Sequence, residues 1–480
     1  MADREDDVLD LSRPLAVHLV GVGGAGISAI AVILAEMGHR VSGADVVATG
    51  AWPRLAEVGV SLEVRGAEDL FTIPDGGHID VVAYSTAFPP SPAQSSELEA
   101  AGIAVLDRAG ILGAICARRS TLAVSGTHGK TSTSAMLATL LAEAGTDPSW
   151  LVGATPVTLG LAAKWGPDGG LFVVEADESD GSFETLGSAT AVVTNVEEDH
   201  LDHWGSIEAI EAAFDRFLAG ASTRVVCIDR PDGSGEPDPR TVALADRHGA
   251  VTVGEAAGAD WQIHGVEVHR LSTTFGLLHS GEEVGPVTIG TPGRHHARNA
   301  ATAVATAVAH GVDVGRAVAA VGRYRGVGRR FEVVGEEAGV TVVDDYAHNP
   351  GKIGALLASA QEAGWDRVVV VFQPHRYSRT EALGAQQGAA VALGDVVAVT
   401  EVYGAGEAPI AGVSGLDVLD AARAAGSEVA WTPSLDDALE WLDETVRAGD
   451  LVLTVGAGNV NTLGPRLLSR LGSRGGGPSQ

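Results

Sequence analysis

A chain of 480 residues is too long for a single hydrophobic core, so about three domains are expected. Its formal net charge of −30 creates a field that repels nucleic acid and acidic membranes, which argues against either as a partner while leaving room for a small anion held by a local basic cluster. Cys116 and Cys227, the only cysteines, lie far apart, which excludes a disulfide framework or cysteine-zinc spacing and fits a reducing cytoplasm.

Residues 1–14 begin acidic and are expected to be a tail. Residues 15–35 carry no formal charge and are long enough to span a bilayer. Four glycines interrupt them, however, and a signal peptide wants a basic start. They read instead as the opening of a first α/β domain, residues 15–115, with no membrane insertion. Its strand at 16–20 runs into Gly21-Val22-Gly23-Gly24-Ala25-Gly26, followed by a helix over 27–37 and a strand over 39–44 that ends at Asp45. This G-x-G-x-x-G turn lets a diphosphate approach the backbone closely. NAD, FAD or a UDP-linked ligand would satisfy it equally, and Asp45 is either a ribose acceptor or a solvated strand end. A strand over 81–86, ending in Ser85-Thr86, a helix over 97–101 and a strand over 103–106 complete the domain.

Residues 116–327 form a second domain opened by an apolar run ending at Ser125, then Gly126-Thr127-His128-Gly129-Lys130-Thr131-Ser132 and a helical run. Backbone N–H groups of such a turn hold phosphate oxygens, Lys130 reaches the terminal phosphates and the Thr131 hydroxyl takes Mg²⁺. The loop is a shortened variant, with Val124 where the usual spacing has glycine. Lysine is otherwise confined to Lys164 and Lys352. A strand at 171–174 runs into the acids Glu175, Asp177, Glu178 and Asp180. Another at 191–194 runs into Asn195, Glu198, Asp199, His200, Asp202 and His203. Acids at strand ends beside a phosphate loop are where Mg²⁺ is held. The stretch 229–240 reads as a surface turn, and 261–289 as antiparallel strands at the domain edge. The basic run Arg294, Arg298, Arg323, Arg325, Arg329 and Arg330 is either a solvated hinge or the completion of an ATP site.

Residues 328–472 form a third α/β domain, and 473–480 a disordered tail. Strands at 341–343, 367–372, 396–400 and 451–455 end in Asp344-Asp345-Tyr346-Ala347-His348-Asn349-Pro350, in Gln373-Pro374-His375-Arg376-Tyr377-Ser378-Arg379-Thr380, in Glu401-Val402-Tyr403 and in Gly456-Ala457-Gly458-Asn459. In an open parallel sheet those ends form one rim, where ligands bind.

The motif order GVGGAGIS, GTHGKTS, EADESD, TNVEEDHLD, GRHHARNA, RRFE, DDYAHNP, FQPHRYSRT and GAGNV resembles the Mur ligases, the ATP-dependent amide ligases of peptidoglycan precursor synthesis, over nearly the whole chain. The resemblance implies three α/β domains, each an open, mostly parallel sheet flanked by helices. The first is Rossmann-like and holds the UDP-sugar, the second is a P-loop ATPase-like domain with added antiparallel strands, and the third holds the amino acid. It implies UDP-N-acetylmuramate, L-alanine and ATP as substrates, two Mg²⁺ ions, a monomer or homodimer in the cytoplasm, and a role in cell-wall building, cell shape and division.

By that resemblance Gly23, Gly24, Ala25, Gly26, Asp45, Ser85 and Thr86 would hold the UDP-sugar. Residues 126–132 with Asn299, Arg329 and Asp345 would hold ATP, with Asn299 on adenine, Arg329 or Arg330 on the γ-phosphate and Asp345 on the ribose side. Thr131, Glu175 and His200 would ligate Mg²⁺. His348, Arg376 and Arg379 would line the alanine site, the arginines gripping the carboxylate through their planar forks. Lys130, His200, Arg330 and His348 would act in catalysis, His348 either as proton acceptor for the amine or as an orienting group. The chain departs from the family pattern at Asn349, Gly351 and Lys352, and at Arg65 and Gly110. It also has no lysine between Lys164 and Lys352 to be carbamylated, as some sister ligases have. An NAD-dependent oxidoreductase with a fused P-loop, a P-loop switch protein and a peptide-recycling ligase are the rival readings.

Overall fold

The computed structural model describes residues 9–73 and 78–475, without the side chains of residues 202, 474 and 475. The chain forms two compact units. One holds the chain up to Gly265 with 275–287 and 297–324; the other holds 266–274, 288–296 and the chain from Arg325 onward.

The first unit contains a five-stranded parallel sheet, ordered Ser61–Val64, Arg40–Asp45, Ala16–Val20, Val81–Tyr84, Ala104–Asp107. Ala16–Val20 is central and buried at every position, which is why it reads as an apolar run broken only by the buried His18 rather than as an alternation. The strand order reverses direction between Ala16–Val20 and Val81–Tyr84. Both strand ends there carry candidate residues, as expected at a topological switch point.

A ten-stranded sheet follows, ordered Glu282–Ile289, Ser272–His279, Trp261–His269, Val251–Gly254, Thr223–Cys227, Thr190–Val193, Thr121–Ser125, Phe172–Glu175, Ser149–Leu151, Ala163–Lys164. Thr121–Ser125, again fully buried, lies between the two strands whose ends carry the acidic motifs. The expected edge strands at 261–289 are present, joined by two-residue turns that only antiparallel neighbours permit. The first two sheets are tied within the same unit: Glu36 Oε2 accepts the Trp165 N–H at 2.7 Å, and Arg108 pairs with Asp180 at 3.2 Å.

The second unit holds a six-stranded sheet, ordered Glu332–Glu337, Val340–Asp345, Asp450–Val455, Arg367–Phe372, Val396–Val399, Val429–Trp431, parallel except for its first strand. Four adjacent strands thus bring the four rim motifs side by side. Asn349 starts the helix Pro350–Glu362 as its spacing implies, its side chain accepting from Gly351 N with Pro350 in the first turn.

Three expectations change. The tail expected over 1–14 is part of the core where it is described: Leu11 is buried and packs with the apolar cluster of the first unit. The tail expected from residue 473 is helical to its last described residue, because Leu463–Gly475 buries Leu463, Leu467 and Leu471 at four-residue spacing and the helix propagates past them; residues 476–480 lie outside the described set. The stretch 229–240 is no idle surface turn. Asp229 is buried and accepts from Glu255 N, burial pushing its carboxyl up to about 6. Asp238 caps the helix Pro239–His248, and Arg298 donates to the Arg230 and Pro231 carbonyls.

Candidate active site

The phosphate loop turns on Gly126, at φ +132°, where a Cβ would lie 2.1 Å from Thr194 Oγ1 and 3.0 Å from the Asn195 backbone. No side chain fits there, and L-residues rarely adopt that backbone. Val124 stays in the strand, paired with Glu175 and Val192, so the loop is shortened because the strand runs to Ser125. Asn195 closes the loop like a strand edge: its Oδ1 accepts His128 N and its Nδ2 donates to His128 O, both at 2.8 Å. Gly129, at φ +84°, leads into the helix Lys130–Glu143, which is buried from Thr131 to Leu141. The outcome is a braced turn at a helix start, with Thr127 N and His128 N donating to Asn195 and the first-turn N–H groups of the helix following Gly129, where phosphate is commonly held. Asn299 lies against it, with Oδ1 2.8 Å from the position of a Cβ on Gly129 and a buried Nδ2 that has no hydrogen-bond partner among the described residues.

Beside the loop, Thr131 Oγ1 donates to Glu175 Oε1 at 2.8 Å, and Gly153 N donates to Glu175 Oε2 at 2.6 Å. A hydroxyl and a carboxylate in contact are hard oxygen donors suited to Mg²⁺. Among the described residues no group of three or more His, Cys, Asp or Glu forms a ready metal cage. Mg²⁺ needs none, since it is commonly held by one or two carboxylates with substrate phosphates and water. His200, in the left-handed region at φ +51°, is set 4.0 Å from Glu178 and 3.8 Å from Asp199. Glu178, which the motifs place only collectively among the strand-end acids, is the ion-pair partner of Lys130 at 2.6 Å. Its signal was its place in EADESD, three residues after Glu175 on the same rim.

At the glycine turn, Gly23 N donates to Asp45 Oδ2 at 2.8 Å and Val46 N to Asp45 Oδ1 at 2.7 Å. Asp45 is buried, so it is neither a solvated strand end nor a freely offered ribose acceptor; it holds the turn in shape. Ser85 adjoins the same turn through Ser85 N donating to Val20 O at 3.0 Å. Gly24 and Ala25 are exposed at its tip. Two departures from the family pattern have local duties. Arg65 spends its guanidinium on Glu63 and on the Asp69 and Thr72 carbonyls. Gly110 N donates to Asp107, which caps the helix Arg108–Cys116.

In the second unit the adjacent arginines separate. Arg329 donates to Asp344 Oδ2 at 3.2 Å and to the Gly456 and Gly458 carbonyls at 2.8 and 3.0 Å, with its guanidinium 4.9 Å from the Tyr346 ring centroid. Through Nε and Nη2 it joins two strand ends, whereas Arg330 is exposed. Asp345 accepts from Phe331 N and Ala347 N at 2.8 Å, and burial pushes its carboxyl up to about 6. Its two oxygens shape the turns at Phe331 and Ala347.

His348, His375 and Tyr403 form a row of rings, with centroids 6.2 and 5.8 Å apart. His348 Nδ1 lies 2.9 Å from the Tyr346 carbonyl, which can only accept, so Nδ1 carries the proton and Nε2 keeps its lone pair. Burial, helped by the positive charges of Arg379 and Lys352, pulls His348 down to about 4. Arg379 donates to His375 Nδ1 at 3.1 Å, and Arg376 is exposed at φ +68° with its N–H on the Tyr403 carbonyl at 2.8 Å. Gln387, fully buried on the helix Tyr377–Val391, donates to the His348 carbonyl at 2.7 Å; no sequence motif marks it.

Three family models match in succession: the Mur ligase family catalytic domain over 16–120, the Mur ligase middle domain over 124–307, and the Mur ligase glutamate ligase domain over 329–458. The chain is 42% identical over 476 residues to the UDP-N-acetylmuramate–L-alanine ligase of Kineococcus radiotolerans, covering 98% of each chain. It is 38% identical to that of Pelotomaculum thermopropionicum over 95% of this chain and 97% of that one. The crystal structure of the UDP-N-acetylmuramate–alanine ligase of Thermotoga maritima superposes with a TM-score of 0.78 at 26% identity, over 96% of this chain and all of that one. With the loop, the acids and the glycine turn in the same order at strand ends, the chain belongs to the Mur ligase family.

Proposed function

We propose that this chain joins L-alanine to the lactyl carboxylate of UDP-N-acetylmuramate at the expense of ATP, giving ADP and phosphate, in peptidoglycan precursor synthesis. The observation that carries this is full-length similarity to ligases of that name, combined with an intact phosphate loop whose Lys130, Thr131 and Glu175 are already in one cluster. The glycine turn at 21–26 receives the UDP diphosphate, with Ser85 and Thr86 beside it. Residues 126–132 receive the ATP phosphates, and Asn299 the adenine. Thr131 and Glu175 hold Mg²⁺, which when bound supplies charge neutralisation to the phosphates. A second ion, with His200 among its ligands, is the further expectation from the family.

The lactyl carboxylate attacks the γ-phosphorus and ADP leaves, forming an acyl phosphate. The neutral alanine amine then attacks the acyl carbon, the bond from that carbon to the phosphate oxygen breaks, and the departing phosphate takes up the proton that the nitrogen loses. In the first step the barrier is largely charge repulsion and alignment, which Lys130 and Arg330 lower. In the second, Arg376 and Arg379 hold the alanine carboxylate while His348 Nε2 accepts a hydrogen bond from the amine. A ring with a pKa of about 4 is a weak base, so His348 orients the amine rather than carrying its proton away. His348→Gln is expected to raise the alanine KM about tenfold while the kcat profile between pH 5.5 and 8 keeps its shape. Loss of a limb near neutrality would restore the base role.

Phosphate release from ATP and Mg²⁺, measured with UDP-N-acetylmuramate across a panel of single amino acids, tests the reaction. Release that requires both sugar nucleotide and L-alanine, with a product of amide mass, is the expected result. Release without the sugar would leave a bare P-loop hydrolase. Release only with a preformed peptide would make this a recycling ligase.

A further inference from the structure

A lysine ammonium has three N–H donors and no acceptor. In Lys130 all three find acceptors inside the chain: the Gly126 carbonyl at 2.9 Å, the Thr127 carbonyl at 3.4 Å and Glu178 Oε1 at 2.8 Å. The first two belong to the phosphate loop itself. The third is a side chain 4% exposed, whose other oxygen lies 2.6 Å from the same nitrogen. Burial pushes the Glu178 carboxyl up, and the Lys130 ammonium pulls it part of the way back. His200 Nε2 lies 4.0 Å from Glu178 Oε1, and the like charge of Asp177 also acts on the carboxylate. The Glu178 backbone is held by Trp204 Nε1, which donates to its carbonyl at 3.0 Å.

A phosphate oxygen that takes an N–H from Lys130 must therefore displace an acceptor. The loop carbonyls move only with the loop, whereas the Glu178 carboxylate can leave by side-chain rotation. While it stays, a second anion at the same ammonium is repelled by the first.

We propose that Glu178 is a positioning residue that holds Lys130 against the loop and is exchanged for the terminal phosphates of ATP, so that nucleotide affinity reports the replacement of one anion by another on the same ammonium. The inference rests on the reading of residues 126–132 as the ATP site. It makes a prediction opposite in sign to that of an ordinary structural or metal-binding glutamate, because removing the charge should improve binding of the nucleotide.

The test is the affinity of the full chain for ATP in EDTA, by calorimetry, for wild type and Glu178→Gln. The variant keeps the shape and one hydrogen-bond acceptor but not the charge. It is expected to bind magnesium-free ATP about tenfold more tightly, since juxtaposed like charges are strongly unfavourable in a desolvated site. Equal or weaker binding overturns the proposal, including the case in which only ATP with magnesium binds worse, which would make Glu178 a metal ligand. Glu178→Asp, with the carboxylate drawn back by one methylene, should shift affinity in the same direction and keeps the proposal testable should the first variant not fold. A wild-type measurement is also available, because the chain has only three lysines. With ¹⁵Nζ-labelled lysine, and signals assigned through Lys164→Arg and Lys352→Arg, magnesium-free ATP should move the Lys130 signal; an unmoved signal with ATP bound overturns the exchange. A wild-type chain that binds no ATP overturns the ATP reading as well, whereas tight wild-type binding with no gain in Glu178→Gln overturns this inference alone.

Discussion

Lys130→Ala is expected to lower kcat by roughly 10²- to 10³-fold, about 3–4 kcal/mol, while the affinity for UDP-N-acetylmuramate stays within twofold. The size follows from the chemistry. Bringing a carboxylate to the γ-phosphorus places several negative charges together, and Lys130 is the one lysine on the loop, its ammonium already within 2.9 Å of the Gly126 carbonyl. The sugar nucleotide is held elsewhere, by the glycine turn, so its binding should not notice the change. The fold should survive as well. Without Lys130 the buried Glu178 is free to take up a proton, since burial already pushes its carboxyl up. Single-turnover phosphate release at saturating ATP, alongside calorimetric titration with the sugar nucleotide, measures both quantities. A variant with near-normal turnover would remove Lys130 from the reaction.

The second large effect separates two neighbours that look alike in sequence. Arg329→Ala should destabilise the chain by about 3 kcal/mol, because it strips one partner from a pair whose acid, Asp344, is 3% exposed and leaves two carbonyls without their donor. That figure is the low end of the usual cost, since the Arg329 side chain is itself 29% exposed. Arg330→Ala should change stability by less than about 0.5 kcal/mol, as exposed substitutions do, yet lower kcat about 10²-fold through loss of a charge on the transferring phosphoryl group. Urea unfolding and phosphate release on both variants give four numbers. The opposite pattern, with Arg329 kinetically essential and Arg330 silent, would return Arg329 to the nucleotide.

Much of the architecture was legible in the residues because it depends on local rules. Buried parallel strands are continuous apolar runs, so Thr121–Ser125, Arg367–Phe372 and Asp450–Val455 could be located before any coordinates. Parallel strands with crossover helices place every strand end on one rim, so polar motifs after those runs had to converge. Glycines at 126 and 129 announced a backbone conformation and Asn349-Pro350 announced a helix start, because each concerns only a few adjacent dihedrals. The order of the motifs then carried the family.

Which polar group meets which partner was decided by tertiary structure alone. Nothing near Lys130 in sequence names Glu178, 48 residues on, as the carboxylate on its ammonium. Nothing in Arg329-Arg330 says which guanidinium turns inward to Asp344 and the strand ending at Gly456, or that Asp45 is enclosed by the turn it shapes. His348 and Gln387 meet across a helix and a loop that only packing brings together, and burial in that packing moves His348 from an ordinary imidazole to one that stays neutral down to about pH 4. Local sequence sets dihedral preferences and which face of an element is apolar. Hydrogen-bond partners, burial and hence pKa depend on residues distant in the chain, and these became definite only when the sheets closed around them.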